Sequence, residues 1–298
     1  MKEKRIKPPF GYFGSKHRLA LKLCENLPPH NCWIEAFSGS AAMTLVKEPA
    51  PIEIINDIDQ EIFNVFLQLR DNYDELIELI EFTPYASDEL KNARIQNNSD
   101  SDLERARKFI VQAMMAVNGT FGKERGGFSV SHSYSRRNLE ARVSRWVNLP
   151  SRLEAVVKRL QKVRIENKDA LELLENYSNR PATLIYLDPP YFAQRSQSYN
   201  IDAMDENFHE RLISWALDAK CMVFISGYES ELYNSSFSEK RGWSKTSFPA
   251  NTKGVNGDVQ SRTEIVWMNY WFSEAVNNPN KDFEISEIDK KRGKLNPD

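Results

Sequence analysis

The sequence predicts an α/β fold, a Rossmann-like sheet interrupted by an inserted, mainly helical domain that bears a β-hairpin. Three observations predict it. Short apolar runs at Trp33-Ile34, Ile52-Glu53-Ile54-Ile55 and Leu184-Ile185-Tyr186-Leu187 each lead into small or acidic residues, as strands do when their carboxyl ends meet a ligand. Stretches of helical period, residues 60–82, 103–117 and 152–163, lie between the second and third of these runs. The same interval is strongly basic: residues 105–164 hold 14 Lys and Arg against three acids, although the whole chain of 298 residues has a net charge of −2.

Taken from the amino terminus, the first notable stretch is Pro9-Phe10-Gly11-Tyr12-Phe13-Gly14-Ser15-Lys16, aromatics and two glycines ahead of an amphipathic segment. Gly14 permits a tight turn, and Lys16 at the start of a helix presents a point charge to an anionic group such as an amino-acid carboxylate. A solvated lysine after a glycine turn is the plainer alternative. Next, Trp33-Ile34-Glu35-Ala36-Phe37-Ser38-Gly39-Ser40-Ala41-Ala42 runs from a strand into small residues that let a ligand approach the backbone, and Met43-Thr44-Leu45-Val46 continues as a helix. About twenty residues on, Ile52–Asn56 ends at Asp57, the place of a carboxylate that binds ribose hydroxyls. The glycine fingerprint of a pyrophosphate site is absent, which disfavours a nicotinamide cofactor.

Residues 103–117 read as a buried helix that stops at Gly119. Behind it, Thr120-Phe121-Gly122-Lys123-Glu124-Arg125-Gly126-Gly127-Phe128-Ser129-Val130 alternates glycines with basic and aromatic residues, the composition of a hairpin that probes a groove. Arg125 is the candidate for a bidentate base contact. Lys123, Arg136, Arg137, Arg142 and Arg145 are candidates for nucleic-acid contacts, the four arginines chiefly for phosphates; a solvated basic helix face is the alternative.

The last strand run ends in Asp188-Pro189-Pro190-Tyr191. An exocyclic amine on a nucleobase is a poor nucleophile because its lone pair is delocalised into the ring. The Asp188 carboxylate and the Pro189 carbonyl can each accept one of its N–H bonds, which favours a more tetrahedral nitrogen. Two prolines hold that backbone rigid and contribute no N–H. The Tyr191 ring can stack on an extruded base. Asp-Pro is also a common turn initiator, so the tetrad alone leaves both readings open.

In this order, the three clusters resemble the Dam-like N6-adenine DNA methyltransferases of the alpha group, over most of residues 8–270. The resemblance implies a Rossmann-like sheet that uses S-adenosyl-L-methionine and no metal. It implies cofactor contacts at Tyr12, Lys16, Phe37, Gly39, Asp57, Asp169 and Asp188, and a catalytic tetrad of Asp188, Pro189, Pro190 and Tyr191. Asp169 enters as the end of a short strand beginning at Arg164. Two positions depart from the family pattern: Ala41 stands where a glycine is usual, and Gly14-Ser15-Lys16 replaces Gly-Gly-Lys. The strands around Ser226 and Glu264 are read as core. The implied function is methyl transfer to the N6 amine of a flipped adenine in double-stranded DNA. Methylation of cytosine N4, or an inactive DNA-binding protein of the same fold, remain as alternatives.

The order of parts predicts residues 1–84 as the cofactor-binding half, 85–150 as the target-recognition insertion, 151–272 as the catalytic half and 273–298 as a flexible tail. Cys24, Cys32 and Cys221 show no metal or disulfide spacing, and His17, His30, His132 and His209 are scattered. No apolar run approaches a membrane span or a signal peptide, so the expectation is a cytoplasmic protein of a prokaryote or of a virus-infected cell, with no membrane and no obligate protein partner.

Overall fold

The computed structural model describes residues 6–11, 16–95, 97–119, 126–133, 138–190, 206–253 and 259–279. The first half contains α1 (His17–Leu23), β1 (Cys32–Glu35), α2 (Ala42–Val46) and β2 (Ile52–Asn56). A helical block follows: α3 (Gln60–Asp71), α4 (Tyr73–Glu81), α5 (Ser87–Ala93), α6 (Asp102–Met115), α7 (Ala141–Val147) and α8 (Leu149–Leu160). The chain then returns to the sheet with β3 (Arg164–Glu166), α9 (Ala170–Glu175), β4 (Thr183–Leu187), α10 (Glu206–Asp218), β5 (Met222–Gly227), α11 (Glu231–Ser236), β6 (Ser244–Lys253), β7 (Val259–Met268) and α12 (Tyr270–Asn277).

The sheet has the order β3-β2-β1-β4-β5-β7-β6. Its first five strands are parallel, and β7 runs antiparallel to both β5 and β6. The order reverses between β1 and β4, and open parallel sheets bind ligands outside the carboxyl ends of the strands at such a switch. Strand β4 is buried along its whole length, and its side chains alternate between two cores. Leu184 and Tyr186 join Trp33, Met222 and Phe224 on one face, whereas Ile185 and Leu187 join Ile34, Val223 and Trp267 on the other. Pro249 is tolerated because β6 is an edge strand.

The helical block shares a core with one face of the sheet, since Leu45 of α2 and Ile55 of β2 belong to the same buried cluster. Ile62, Phe66, Ile80, Leu90, Phe109, Ile110, Met114, Trp146, Leu153 and Val163 form one buried cluster, with α6 packed against α3, α4 and α5. Phe10 belongs to this core, edge-on to Phe109 at a ring separation of 5.1 Å. The amino-terminal segment is therefore anchored in the inserted helices.

Several boundaries differ from the sequence expectation. The predicted helix over residues 60–82 is two helices that break at Asn72, where φ is −131° and ψ 45°. The helix expected from residue 152 begins at Leu149, with Pro150 inside its first turn, where a missing N–H costs nothing. The expected hairpin covers residues 120–130, of which 120–125 lie outside the described residues. The chain on either side of 120–125 is held antiparallel by Val117 N–H to Gly127 O (2.9 Å) and Ser129 N–H to Met115 O (2.8 Å).

Candidate active site

Strand β1 runs into the loop that precedes α2. Gly39 has φ 47° and Ala41 has φ 55°, so the chain turns sharply between them. For alanine that left-handed conformation costs about 1 kcal/mol. Ala41 also occupies the N-cap position of α2 and has no side chain to cap it. The capping group comes instead from the end of β1. Glu35 accepts the Thr44 N–H at 2.8 Å and the Met43 N–H at 3.3 Å, and it also accepts the Thr44 hydroxyl. Burial pushes the Glu35 carboxyl up to about 7, against the pull of these donors and with the help of the Asp188 charge.

Asp57 stands one residue past β2 and ties the same loop down. Its carboxylate accepts the Gly39 N–H at 2.8 Å and the Asp59 N–H at 3.0 Å. Desolvation raises its pKa to about 6; the two amides oppose that rise and Asp59 adds to it. Asn56 links neighbouring strand ends: its amide donates to Ala36 O and Lys168 O and accepts from Lys168 N–H.

Asp188 stands one residue past β4, across the switch point. Its Oδ1 lies 3.0 Å from Lys16 Nζ and accepts the Ser226 hydroxyl at 3.0 Å. Lys16 Nζ also lies 3.4 Å from Glu264, a residue only 3% exposed. Ser226 is 2.7 Å from the Tyr186 hydroxyl, whose ring packs tilted against Phe224 at a ring separation of 4.8 Å. Strands β4, β5 and β7 and the start of α1 thus all act on one carboxylate.

Among the site residues expected from sequence, Lys16, Phe37, Gly39, Asp57 and Asp188 gather at the carboxyl ends of β1, β2 and β4 or at the start of α1. Lys16 is engaged by two carboxylates of the chain itself. Phe37 meets Phe208 edge-on at 6.1 Å. Pro189 is buried and Pro190 partly so. Asp169 does not end a strand. The strand stops at Glu166, and Asp169 is an exposed N-cap of α9 that accepts from Leu171 N–H and Glu172 N–H. Its neighbourhood does reach the site, because Asn167 donates to the carbonyl of Asp57 at 2.8 Å. Arg142 and Arg145 lie on α7. Tyr12, Lys123, Arg125, Arg136, Arg137 and Tyr191 lie outside the described residues.

Sequence reasoning missed Ser226, Glu264 and Glu35 as site residues, because each sits inside an apolar strand run. The available signal was a polar residue in each of three otherwise buried strands, and such residues are retained only with partners.

The basic segment requires a correction. Arg105 pairs with Glu61 and Asp102, Arg107 with Glu89 and Glu104, and Lys108 with Asp100. Lys158 pairs with Glu154, Arg159 with Glu53, and Arg164 with Glu166. Six of the 14 cations are thus neutralised within the fold, mostly by acids outside the segment.

The site suits a nucleoside cofactor without phosphates. Gly39 and the small residues around it keep side-chain bulk off the loop, and Asp57 uses one acceptor site on each carboxylate oxygen for the Gly39 and Asp59 amides. Asp57, Asp188 and Glu264 would disfavour a pyrophosphate and favour a cationic group. No group of three or more His, Cys, Asp or Glu able to hold a metal occurs among the described residues.

The parallel sheet, its switch point and the carboxylates gathered there fit a methyltransferase dependent on S-adenosylmethionine. The chain belongs to the D12 class N6 adenine-specific DNA methyltransferase family, whose profile matches residues 12–248. Solved structures that resemble it include three methyltransferases. One, described as an RNA methyltransferase from Pyrococcus horikoshii, has 9% identity and a TM-score of 0.35, covering 85% of this chain and 79% of the other. The methyltransferase yhhF from Escherichia coli has 10% identity and a TM-score of 0.36, covering 89% and 90%. An S-adenosylmethionine-dependent methyltransferase from Agrobacterium tumefaciens has 11% identity and a TM-score of 0.39, covering 87% and 63%. No helix among the described residues is long and apolar enough to cross a membrane.

Proposed function

We propose that this protein methylates the N6 amine of an adenine extruded from double-stranded DNA at a specific sequence, in the cytoplasm of a prokaryotic or virus-infected cell. The observation that carries the reading is Asp188, which opens the Asp-Pro-Pro-Tyr tetrad at the topological switch and is held by Lys16 and Ser226. Bound S-adenosylmethionine supplies an activated methyl group on a sulfonium. Phe37, Gly39 and Asp57 hold the cofactor, Asp57 through the ribose hydroxyls, and Tyr12, Lys16 and Asp169 contribute the further contacts that the family resemblance implies. Asp188 and the Pro189 carbonyl accept the two N–H bonds of the amine and free its lone pair for in-line attack, while Tyr191 stacks on the base. As the N–C bond forms and the sulfonium C–S bond breaks to leave the neutral thioether, the Asp188 carboxylate passes the proton shed by the methylated amine to solvent. Alignment and polarisation provide the acceleration, and no strong base is required.

Glu264 and Ser226 act as positioning residues. Glu264 keeps Lys16 beside Asp188, and Ser226 directs Oδ1. Lys123, Arg125, Arg136, Arg137, Arg142 and Arg145 contact DNA, with Arg125 reading a base.

The test is transfer of labelled methyl from S-adenosylmethionine to unmethylated genomic DNA, followed by nucleoside analysis. N6-methyladenine at one repeated short sequence is the expected product; N4-methylcytosine, or no incorporation despite cofactor binding, would overturn it. Asp188→Asn should lower turnover by at least about 100-fold, the usual scale for removing an electrostatic group that acts on the reacting atoms. A variant with near-native single-turnover rates would refute the role.

A further inference from the structure

Six of the ten described cations of the basic segment have carboxylate partners; Lys162 and three arginines have no ion pair among the described residues. Arg142 and Arg145 stand one helical turn apart on α7, and Arg152 is in the first turns of α8. None of the three forms an ion pair among the described residues. Glu140, the acid at the start of α7, accepts the Ser131 N–H at 2.7 Å instead. The three positive charges act on one another: Arg142 lowers the pKa of Arg145, and Arg145 lowers that of Arg152, in both cases after the larger effect of crowding by surrounding protein. Arg152 donates to the Pro8 carbonyl at 2.9 Å, while its Nε is buried with no hydrogen-bond partner. Arg145 remains exposed, with one guanidinium nitrogen 3.4 Å from where a Cβ on Gly11 would stand. Like charges crowded together without a counter-ion cost stability, and the missing element is an anion.

We propose that Arg142, Arg145 and Arg152 form a site for one phosphodiester of the DNA backbone, at the seam where residues 8–11 dock on the inserted helices. The proposal rests on the DNA-methyltransferase reading and deepens it by adding Arg152 and locating the site. Four residues separate Gly11 from Lys16, so five backbone steps span at most about 18 Å. That equals about five base-pair rises, so the phosphate belongs to the duplex immediately around the target. Planar guanidiniums suit it, because phosphate oxygens accept paired N–H bonds. A bound phosphate would also brace the Pro8–Gly11 backbone that leads into the cofactor-binding segment.

The experiment measures DNA affinity against salt for the full-length protein and for Arg142→Gln/Arg145→Gln, with Arg152→Lys as a second variant that keeps the charge. Each phosphate neutralised contributes about −0.9 to the slope of log K against log salt. The double variant should lose about one unit of slope on every sequence, and its melting temperature should stay level or rise as the repulsion is relieved. Arg152→Lys should keep the slope. An unchanged slope in a folded double variant, or a lower melting temperature with no loss of affinity, would overturn the site. Inorganic phosphate that stabilises the wild type, while the variants bind DNA with native slopes, would assign the site to a free anion and refute the proposal. Binding is scored separately from product, so a wild type that binds DNA with a steep slope yet forms no methyladenine would fail the catalytic reading and leave this site standing.

Discussion

Glu35 combines two demands that conflict. The amides of α2 need an acceptor because Ala41 offers none, and the acceptor that serves them is fully desolvated. Its carboxyl, ordinarily at 4.5, is pushed up to about 7. Between those values the unfolded chain is ionised at this position while the folded one holds a proton. The Glu35 contribution to stability therefore falls as pH rises through that window and is smallest above it. Urea midpoints of the wild type should accordingly drop more between pH 5 and pH 8 than those of Glu35→Gln; parallel curves would show that the carboxyl titrates normally. Asp57 behaves in the same direction on a smaller scale, with its carboxyl raised to about 6. Sequence reasoning found Asp57 and Asp188 because each directly follows an apolar run. It passed over Glu35, Ser226 and Glu264 because a polar side chain within a strand carries no mark of which neighbour it will meet.

At the scale of elements, α2, β2 and α8 are joined by one buried charge cluster. Lys47 Nζ lies 2.7 Å from Glu53, and Arg159 makes a forked contact with the same carboxylate. Burial pushes Glu53 up, but the hydrogen bonds from Arg159 and Lys47 outweigh it and the net shift is downward. The stabilisation is present above the ordinary carboxylate range and is lost as pH falls through the depressed pKa. Arg159→Met should cost about 3 kcal/mol at neutral pH by leaving the buried carboxylate with one partner. Replacing Lys47, Glu53 and Arg159 together with apolar residues should recover most of that loss. Denaturant midpoints of the single and triple variants decide the matter, and a single variant within about 0.5 kcal/mol of wild type would contradict it. The helix α8 was legible from its apolar spacing, and its true start was not, because Pro150 marks a helix's first turn and a loop equally well.

Across the whole molecule, the proposed cofactor surface is assembled from strands separated by the helical block: β1 and β2 precede it, β3 and β4 follow it. A ligand held by Asp57 therefore closes a surface made of both halves. At 100 times its dissociation constant such a ligand stabilises by about 2.7 kcal/mol. S-adenosylmethionine should raise the melting temperature more at pH 7.5 than at pH 5.5, since protonation of Asp57 removes the charged acceptor for the ribose. The Asp57→Asn variant should lose that pH dependence, and a wild-type shift equal at both pH values would argue against the ribose contact. Charge shows the same contrast between chain and fold. The sequence is strongly basic over residues 105–164, but pairing consumes six of those cations, and the unpaired described arginines that cluster are Arg142, Arg145 and Arg152. By itself the sequence determined the strands that carry the motifs, the family resemblance and the chemistry available to Asp188, because apolar runs and short motifs are local. Only the tertiary structure decided which polar residues surround Asp188 and which cations remain available to an anion, because both depend on contacts between residues tens to hundreds of positions apart, set by the reversal of strand order between β1 and β4.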